Sequence, residues 1–461
     1  MPTSYLQDIE GLDPYNVSMF FWYFEARNNP EEAPTTIWLS GGPGDSSMFG
    51  VALDNGPCYV ENDANSTRAN PWSFNDRVNM LYIDQPVTTG FSYNSLIKST
   101  LDLLFASSSE PYQGIRAFED WKGKVPAANT TFLHGMLPAQ NPLQTANTTS
   151  VAAVTLWYFS QAWFGAFPEW KTCDKRVNIW GNSYGGYWVS RLAAYTQKQN
   201  HKIQDGTING TIIQLDSVGL TNAQIDALYQ TPYVFDYPYN NTYDLEVINK
   251  TIHKELSELW TAPKKGCRNL LLKCRAAASK VDPQEFATNV KVNGLCEEAT
   301  KACAQIFSSA SGDKRSSTDM AHLLPDGTPP YWLKGFFNRE WVQKELGVPV
   351  NFTATSEINS FAVLYSGGDI IRVEGLKDIE YLLDSGIKVT LVYGDRDLTC
   401  PWPGGESISL QADWAGAGEF RAAGYEHIQT DANYRGGVVR QRGTLSFSRV
   451  FEAGHDGMSI S

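Results

Sequence analysis

Val177-Asn-Ile-Trp-Gly-Asn-Ser-Tyr-Gly-Gly186 decides how this chain is read. An apolar run ends in Gly181-x-Ser183-x-Gly185, and a helical pattern follows to about Tyr195. Glycines two before and two after a serine permit a sharp strand-to-helix turn that a Cβ would obstruct. The Ser183 hydroxyl is thereby presented at the carboxyl edge of a sheet. A bare G-x-S-x-G occurs often by chance; with a strand before it and a helix after it, Ser183 becomes a candidate nucleophile.

A serine hydroxyl is a weak nucleophile at its own pKa, so it needs a base in reach and a third group to orient that base. Where such an elbow occurs the chain order is serine, acid, histidine. Of the six histidines, His427 and His455 follow a plausible acid at the end of a late strand. His455 closes Arg449-Val-Phe-Glu-Ala-Gly-His, an apolar strand ending in glycine, and is the candidate base. His427, in Gly424-Tyr-Glu-His, has no clear strand before it and reads as a surface or structural histidine. For the acid, Val389-Thr-Leu-Val-Tyr-Gly-Asp-Arg-Asp397 offers Asp395 and Asp397, and pattern alone leaves both open. An oxyanion hole needs two preorganised amides. Tyr184 supplies one, and the glycines after the strand in Thr36-Ile-Trp-Leu-Ser-Gly-Gly-Pro-Gly44 supply the other.

Further apolar runs at Phe20 to Phe24, Thr36 to Ser40, Val78 to Asp84 and Val389 to Gly394 read as buried strands, with helical patterns between several of them. That alternation predicts an α/β fold with a largely parallel sheet and helices on both faces. Between Asp226 and about Pro330 the rhythm breaks, which predicts a cap subdomain at 226–330 inserted into a core of 1–225 and 331–461. Val125 to Ser150 and Ser308 to Asp319, rich in Ala, Ser, Thr, Asn and Gly, read as surface loops.

The 461 residues are 42% hydrophobic and 13% aromatic, enough for a large core. A net charge of −13 argues against nucleic-acid or anionic-membrane partners. There is no run of about 18 or more apolar residues, hence no membrane span, and no recognisable signal peptide. Two features nevertheless point to an oxidising, secretory compartment. Sequons begin at Asn16, Asn65, Asn129, Asn147, Asn209, Asn240, Asn249 and Asn351, so N-glycans are expected. Cys267, Cys274, Cys296 and Cys303 are spaced symmetrically, which suits nested bridges Cys267–Cys303 and Cys274–Cys296. The alternatives are four free thiols, or a zinc site, for which the spacing is wide. The leader is then expected to be missing from this chain.

Trp38-Leu-Ser-Gly-Gly-Pro-Gly44, Tyr82-Ile-Asp-Gln-Pro86 with Gly90-Phe-Ser-Tyr93, Gly181-Asn-Ser-Tyr-Gly-Gly186, Gly394-Asp-Arg-Asp397 and Arg449-Val-Phe-Glu-Ala-Gly-His455 together resemble the serine carboxypeptidases, from about Asp13 to His455. Glu25-Ala-Arg-Asn-Asn29, Asn55-Gly-Pro-Cys58 and Trp341-Val-Gln-Lys-Glu-Leu-Gly-Val-Pro349 place the likeness nearest the filamentous-fungal branch.

The resemblance implies an α/β-hydrolase fold with Ser183 as nucleophile, Asp397 as orienting acid and His455 as base. It also implies an oxyanion hole from the Gly42 and Tyr184 amides, the family's near-site thiol at Cys400, and the same nested cysteine pairing. Its substrates are peptide or protein C-termini, with no metal or cofactor, in a secreted, vacuolar or lysosome-like setting. The family grasps the substrate's terminal carboxylate with a Trp, an Asn and two Glu. The matching residues here are Trp38, Ser40, Asp54 and Asn182, beside Gly41, so three of the four differ. An amide at Asn182 donates at any pH, which predicts a hold on the carboxylate less dependent on acid.

Asp45 replaces the family's Cys or Ser beside the oxyanion loop, and Thr88 stands near a usual glycine. Asp45 weakens anion binding if it faces inward and has no effect if it points to solvent. After His455 the family's Val-Pro loop and last helix are absent from Asp456-Gly-Met-Ser-Ile-Ser461, and family residues precede the equivalent of Ser4, so both ends are expected to be truncated. These departures motivate two alternatives, a serine carboxypeptidase-like acyltransferase and a catalytically impaired binding or chaperoning homologue.

Overall fold

A computed structural model describes residues 6, 9, 11–104, 114–310, 312–325, 332–429 and 434–455. The tail Asp456–Ser461, Ser4 and the cap boundary at Pro330 lie outside these residues.

Fourteen strands are described: β1 Phe21–Phe24, β2 Thr35–Leu39, β3 Cys58–Val60, β4 Thr67–Ala69, β5 Asn79–Ile83, β6 Leu96–Asp102, β7 Ile115–Ala117, β8 Phe132–Pro138, β9 Arg176–Asn182, β10 Gln214–Thr221, β11 Lys388–Gly394, β12 Glu426–Gln429, β13 Arg435–Arg442 and β14 Leu445–Val450. Nine form one sheet in the order β1-β5-β2-β9-β10-β11-β14-β13-β12. The six from β5 to β14 run parallel, and the antiparallel pairings are confined to the two ends. β2 and β5 are buried along their whole length, as expected of strands covered on both faces. Helices Thr149–Ala166, Gly185–Gln204, Gly375–Asp384 and Trp402–Gln411 flank the sheet.

The parallel α/β architecture and the five strands expected from apolar runs are present. Three local expectations need correction. β10 was not recognised. Val125 to Ser150 is not simply loop, since it holds β8 and the start of the helix Thr149–Ala166. Ser308 to Asp319 begins as the end of the helix Val290–Ala310, and Ser316 and Asp319 are buried.

Helices Ala227–Tyr239, Lys250–Thr261, Cys267–Val281 and Val290–Ala310 share an apolar cluster centred on Leu256, Leu271, Cys274, Cys296 and Ile306. Disulfides Cys267–Cys303 and Cys274–Cys296 join the last two helices in the expected nested pairing. Cys58, Cys173 and Cys400 are free thiols. Buried guanidinium groups fasten this helical unit to the rest, Arg275 through backbone carbonyls and Arg372 through Asp282. Arg275 pairs with Asp226 at 2.9 Å and donates to the carbonyls of Ile371 and Val373, and Arg372 pairs with Asp282 at 2.5 Å. Among the described residues no helix is long and apolar enough to cross a membrane.

Candidate active site

In open α/β sheets ligands bind outside the carboxyl ends of the strands, where the strand order reverses. Here the reversal falls between β2 and β9. The turns leaving β2, β9, β10 and β11, and the loop after β14, carry Gly41 to Gly44, Ser183, Asn222, Asp397 and His455 respectively.

Ser183 has φ of 56°, a left-handed conformation that a serine holds only when its surroundings enforce it. The enforcement is visible. Its N–H donates to the Thr221 carbonyl at 3.1 Å, and its own carbonyl accepts from the amides of Gln224 at 2.9 Å and Gly186 at 3.0 Å. The flanking glycines serve close approach: a Cβ on Gly181 or Gly185 would lie 2.4 or 2.6 Å from the Leu39 carbonyl oxygen.

Asp397 is fully buried, and its Oδ2 lies 2.8 Å from His455 Nδ1. The same oxygen accepts from Asn222 Nδ2 at 2.8 Å, while Oδ1 takes the amides of Thr399 at 2.7 Å and Cys400 at 3.1 Å. Asp395 turns away to accept from Arg449 Nη2 at 2.8 Å, Tyr243 Oη at 2.5 Å and the Glu452 amide at 2.9 Å. Of the two candidate acids, Asp397 is therefore the one that meets the histidine. His427 sits exposed on β12 at the sheet edge.

Two further groups in this arrangement escaped the sequence reading. Asn222 orients Asp397 while its Oδ1 accepts from the Gly394 amide at 3.0 Å. The segment from Ser316 to Met320 clasps the turns of both acid and base. The Ser317 carbonyl accepts from the amides of Leu398 and Thr399 at 3.0 Å, the Thr318 carbonyl accepts from the His455 amide at 2.7 Å, and the Met320 amide donates to Arg396 at 2.9 Å.

Gly41 lies against the elbow: a Cβ there would be 2.6 Å from the Tyr184 nitrogen and 2.7 Å from Ser183 Cβ. Gly42, with φ of 102°, follows immediately. Asp84, at the end of β5, braces this loop by accepting from Ser46 Oγ at 2.6 Å and the Ser47 amide at 3.0 Å. Burial pushes its carboxyl up to about 7, against the pull of those donors. Tyr184 is anchored from below, its hydroxyl donating to Asp369 at 2.6 Å.

Cys400 is buried with its thiol in hydrogen-bonding reach of Ser183 and Gln224. Burial first, and the Asp397 charge second, hold it well above the ordinary thiol range, so it stays protonated and does not rival the serine as a nucleophile. Donor atoms of Asp397, Cys400 and His455 all lie within 4.8 Å of one another. Both carboxylate oxygens there already accept hydrogen bonds, so a metal would have to displace a complete network.

Of the carboxylate-binding candidates, Trp38, Ser40, Gly41 and Asn182 fall at the ends of β2 and β9, and Asp54 follows the short helix Met48–Ala52. Trp38 and Ser40 are buried, with Trp38 Nε1 donating to Ser40 Oγ at 3.3 Å. Asn182 is half-buried, and its Oδ1 is sealed without a hydrogen-bond partner. Asp54 is half-buried, and its charge adds to the burial that chiefly raises the Tyr82 and Tyr59 hydroxyls. Asp45 does not simply face solvent. Its Oδ1 accepts from Thr355 Oγ1 at 2.7 Å, and the charges of Lys334 and His455 act on it. Burial, the largest influence, raises its carboxyl above the ordinary range. Beside the nucleophile turn, Cys400, Gln224, Thr231, Val234, Phe307 and Ile370, among others, line a narrow crevice with room for about one water-sized group.

A sequence profile described as serine carboxypeptidase matches residues 9–457. Carboxypeptidase S1 homolog A of Arthroderma benhamiae is 42% identical over 96% of this chain and 68% of its own length. Carboxypeptidase Y homolog of the same fungus is 37% identical, over 97% and 71%. Among solved structures, KEX1(delta)p, a prohormone-processing carboxypeptidase from Saccharomyces cerevisiae, superposes with a TM-score of 0.67 at 20% identity, covering 96% of this chain and 83% of that one; the two share the α/β-hydrolase fold. Fold and profile agree, and the chain belongs to the serine carboxypeptidase family.

Proposed function

We propose that the chain removes C-terminal residues from peptides by acyl transfer to Ser183. Ser183 Oγ attacks the last peptide carbonyl, His455 Nε2 takes the proton and returns it to the leaving amine, and water then releases the acyl-enzyme. Asp397 holds the imidazole with Nδ1 protonated, and the Gly42 and Tyr184 amides receive the oxyanion. The observation that carries this reading is the 2.8 Å contact between His455 Nδ1 and Asp397 Oδ2, at the carboxyl edge of the same sheet in which β9 presents Ser183. The helices of 226–330 act as a cap over the site. Trp38, Ser40, Gly41, Asp54 and Asn182 hold the terminal carboxylate. The sequons and the two disulfides favour a secreted or vacuolar glycoprotein.

The test is release of the C-terminal amino acid from an N-acylated Phe-Leu dipeptide between pH 4 and 7. Release from the wild type that vanishes in Ser183→Ala is expected. Activity that survives the substitution removes Ser183 from the mechanism, and acyl transfer to an alcohol without hydrolysis supports the acyltransferase alternative.

Asp45 gives this reaction a pH dependence. Its carboxyl is neutral below its raised pKa and becomes an anion beside the oxyanion loop as pH rises through it, opposing the charge that develops on the carbonyl. Asp45→Asn is expected to raise kcat/KM more at the alkaline than at the acid end of the pH profile, by roughly three- to tenfold where the wild-type carboxyl is ionised, the effect of about 1 kcal/mol of charge repulsion. Parallel pH profiles for variant and wild type would rule this out.

A further inference from the structure

The structure sorts the eight sequons. Asn16, Asn65, Asn129, Asn209, Asn240 and Asn249 are exposed. Asn147 and Asn351 are not. Asn351 Nδ2 donates to Asn338 Oδ1 at 3.2 Å while its Oδ1 accepts from the Met136 amide at 3.1 Å. Asn147 has its carboxamide oxygen sealed from solvent, and its sequon threonine, Thr149, is fully buried at the start of a helix. Attachment precedes folding, so a sugar on either asparagine would have to be buried with it.

At Asn65 the carboxamide itself is hydrogen-bonded to an exposed aromatic side chain. Asn65 lies in the turn between β3 and β4, whose shape is fixed by Asp63 accepting the Asn65 and Ser66 amides at 2.8 Å. Arg339 clamps this turn to the helix Glu340–Leu346, donating to the carbonyls of Ala64 and, at 3.0 Å, Asp63. From that helix Trp341 donates its Nε1–H to Asn65 Oδ1 at 3.1 Å. The carboxamide is thus oriented with its oxygen on the indole, and glycosylation replaces a hydrogen only on the other atom, Nδ2. Trp341 is 48% exposed, and with Arg339, Glu340 and Lys344 it lines a shallow, open concavity.

We propose that Asn65 is an N-glycosylation site whose first sugars lie on the Trp341 indole, their C–H faces against the ring and their hydroxyls among Arg339, Glu340 and Lys344. This rests on the reading of the chain as a secretory glycoprotein. The bond forms between Nδ2 and C1 of a lipid-pyrophosphate-linked oligosaccharide; the C1–O bond to pyrophosphate breaks, and Nδ2 loses one proton.

The full chain, secreted behind a leader from a glycosylating host, is mapped by glycopeptide mass spectrometry and then treated with an endoglycosidase without denaturation. Asn65 is expected to be occupied, with Asn147 and Asn351 empty. Stacking of the usual aromatic strength should make release from Asn65 roughly tenfold slower than from Asn209. Trp341→Ala should abolish that protection, and Trp341→Phe, which keeps a ring face, should restore part of it. An empty Asn65 among other occupied sequons overturns the proposal alone. Equal release from Asn65 and Asn209 in the wild type removes the indole platform. If all eight sequons are empty, the secretory reading itself fails.

Discussion

Asp397→Asn is expected to lower kcat by about 10⁴-fold, the cost of presenting a histidine in the wrong tautomer. With Oδ1 facing the Thr399 and Cys400 amides, the asparagine NH₂ would occupy the place of Oδ2, toward Asn222 Nδ2 and His455 Nδ1. The imidazole answers a donor by accepting at Nδ1, so its proton moves to Nε2, and a protonated Nε2 cannot take the serine's proton. Asp395→Asn, two positions earlier, separates architecture from chemistry. It breaks a buried pair with Arg449 and is expected to destabilise the fold by about 3 kcal/mol while leaving kcat of the folded enzyme within about tenfold. Thermal melts and active-site-titrated turnover of the two variants check both claims. Equal losses of turnover would mean that Asp395 also serves the reaction.

Gly41→Ala is the second large effect. The new methyl would sit 2.6 Å from the Tyr184 nitrogen and 2.7 Å from both the Asn182 oxygen and Ser183 Cβ, and two of those three atoms are backbone. Either the Gly41–Gly42 loop or the elbow must move. A displacement near 1 Å at reacting groups costs around a hundredfold in rate, and losing an oxyanion donor costs a similar or larger factor. The expected outcome is a fall in kcat of at least about 10² with slower labelling of Ser183 by an organofluorophosphonate. Wild-type labelling and turnover would place the oxyanion donors elsewhere.

What was legible in the sequence divides along physical lines. The elbow announces itself because backbone close approach demands glycine at fixed offsets, and because β2 and β5 beside it are buried along their length and largely apolar. β10 was invisible because three of the four residues in its first half, Gln214, Asp216 and Ser217, are polar, and because Gly219, which looks like a breaker, is there to admit the Trp180 ring. With the strand went Asn222, the residue at its end. The choice between Asp395 and Asp397 depended on Arg449 and Tyr243, partners too remote in sequence for local pattern to reveal. The Ser316 to Met320 clasp was hidden for another reason. It holds the site mainly through main-chain carbonyls and amides, so a small-residue stretch that resembles a slack connection performs a positioning task without a distinctive side chain.

That clasp has a consequence for when a peptidase comes into being on the ribosome. The nucleophile turn emerges early, but its acid, its base and the strap joining them are spread over the second half of the chain, with His455 arriving last. A polypeptide that stops short of His455 carries the nucleophile turn without its base and remains inert. Destructive chemistry is withheld until synthesis has reached the histidine, so the producing cell meets no half-built enzyme able to cut its own peptides.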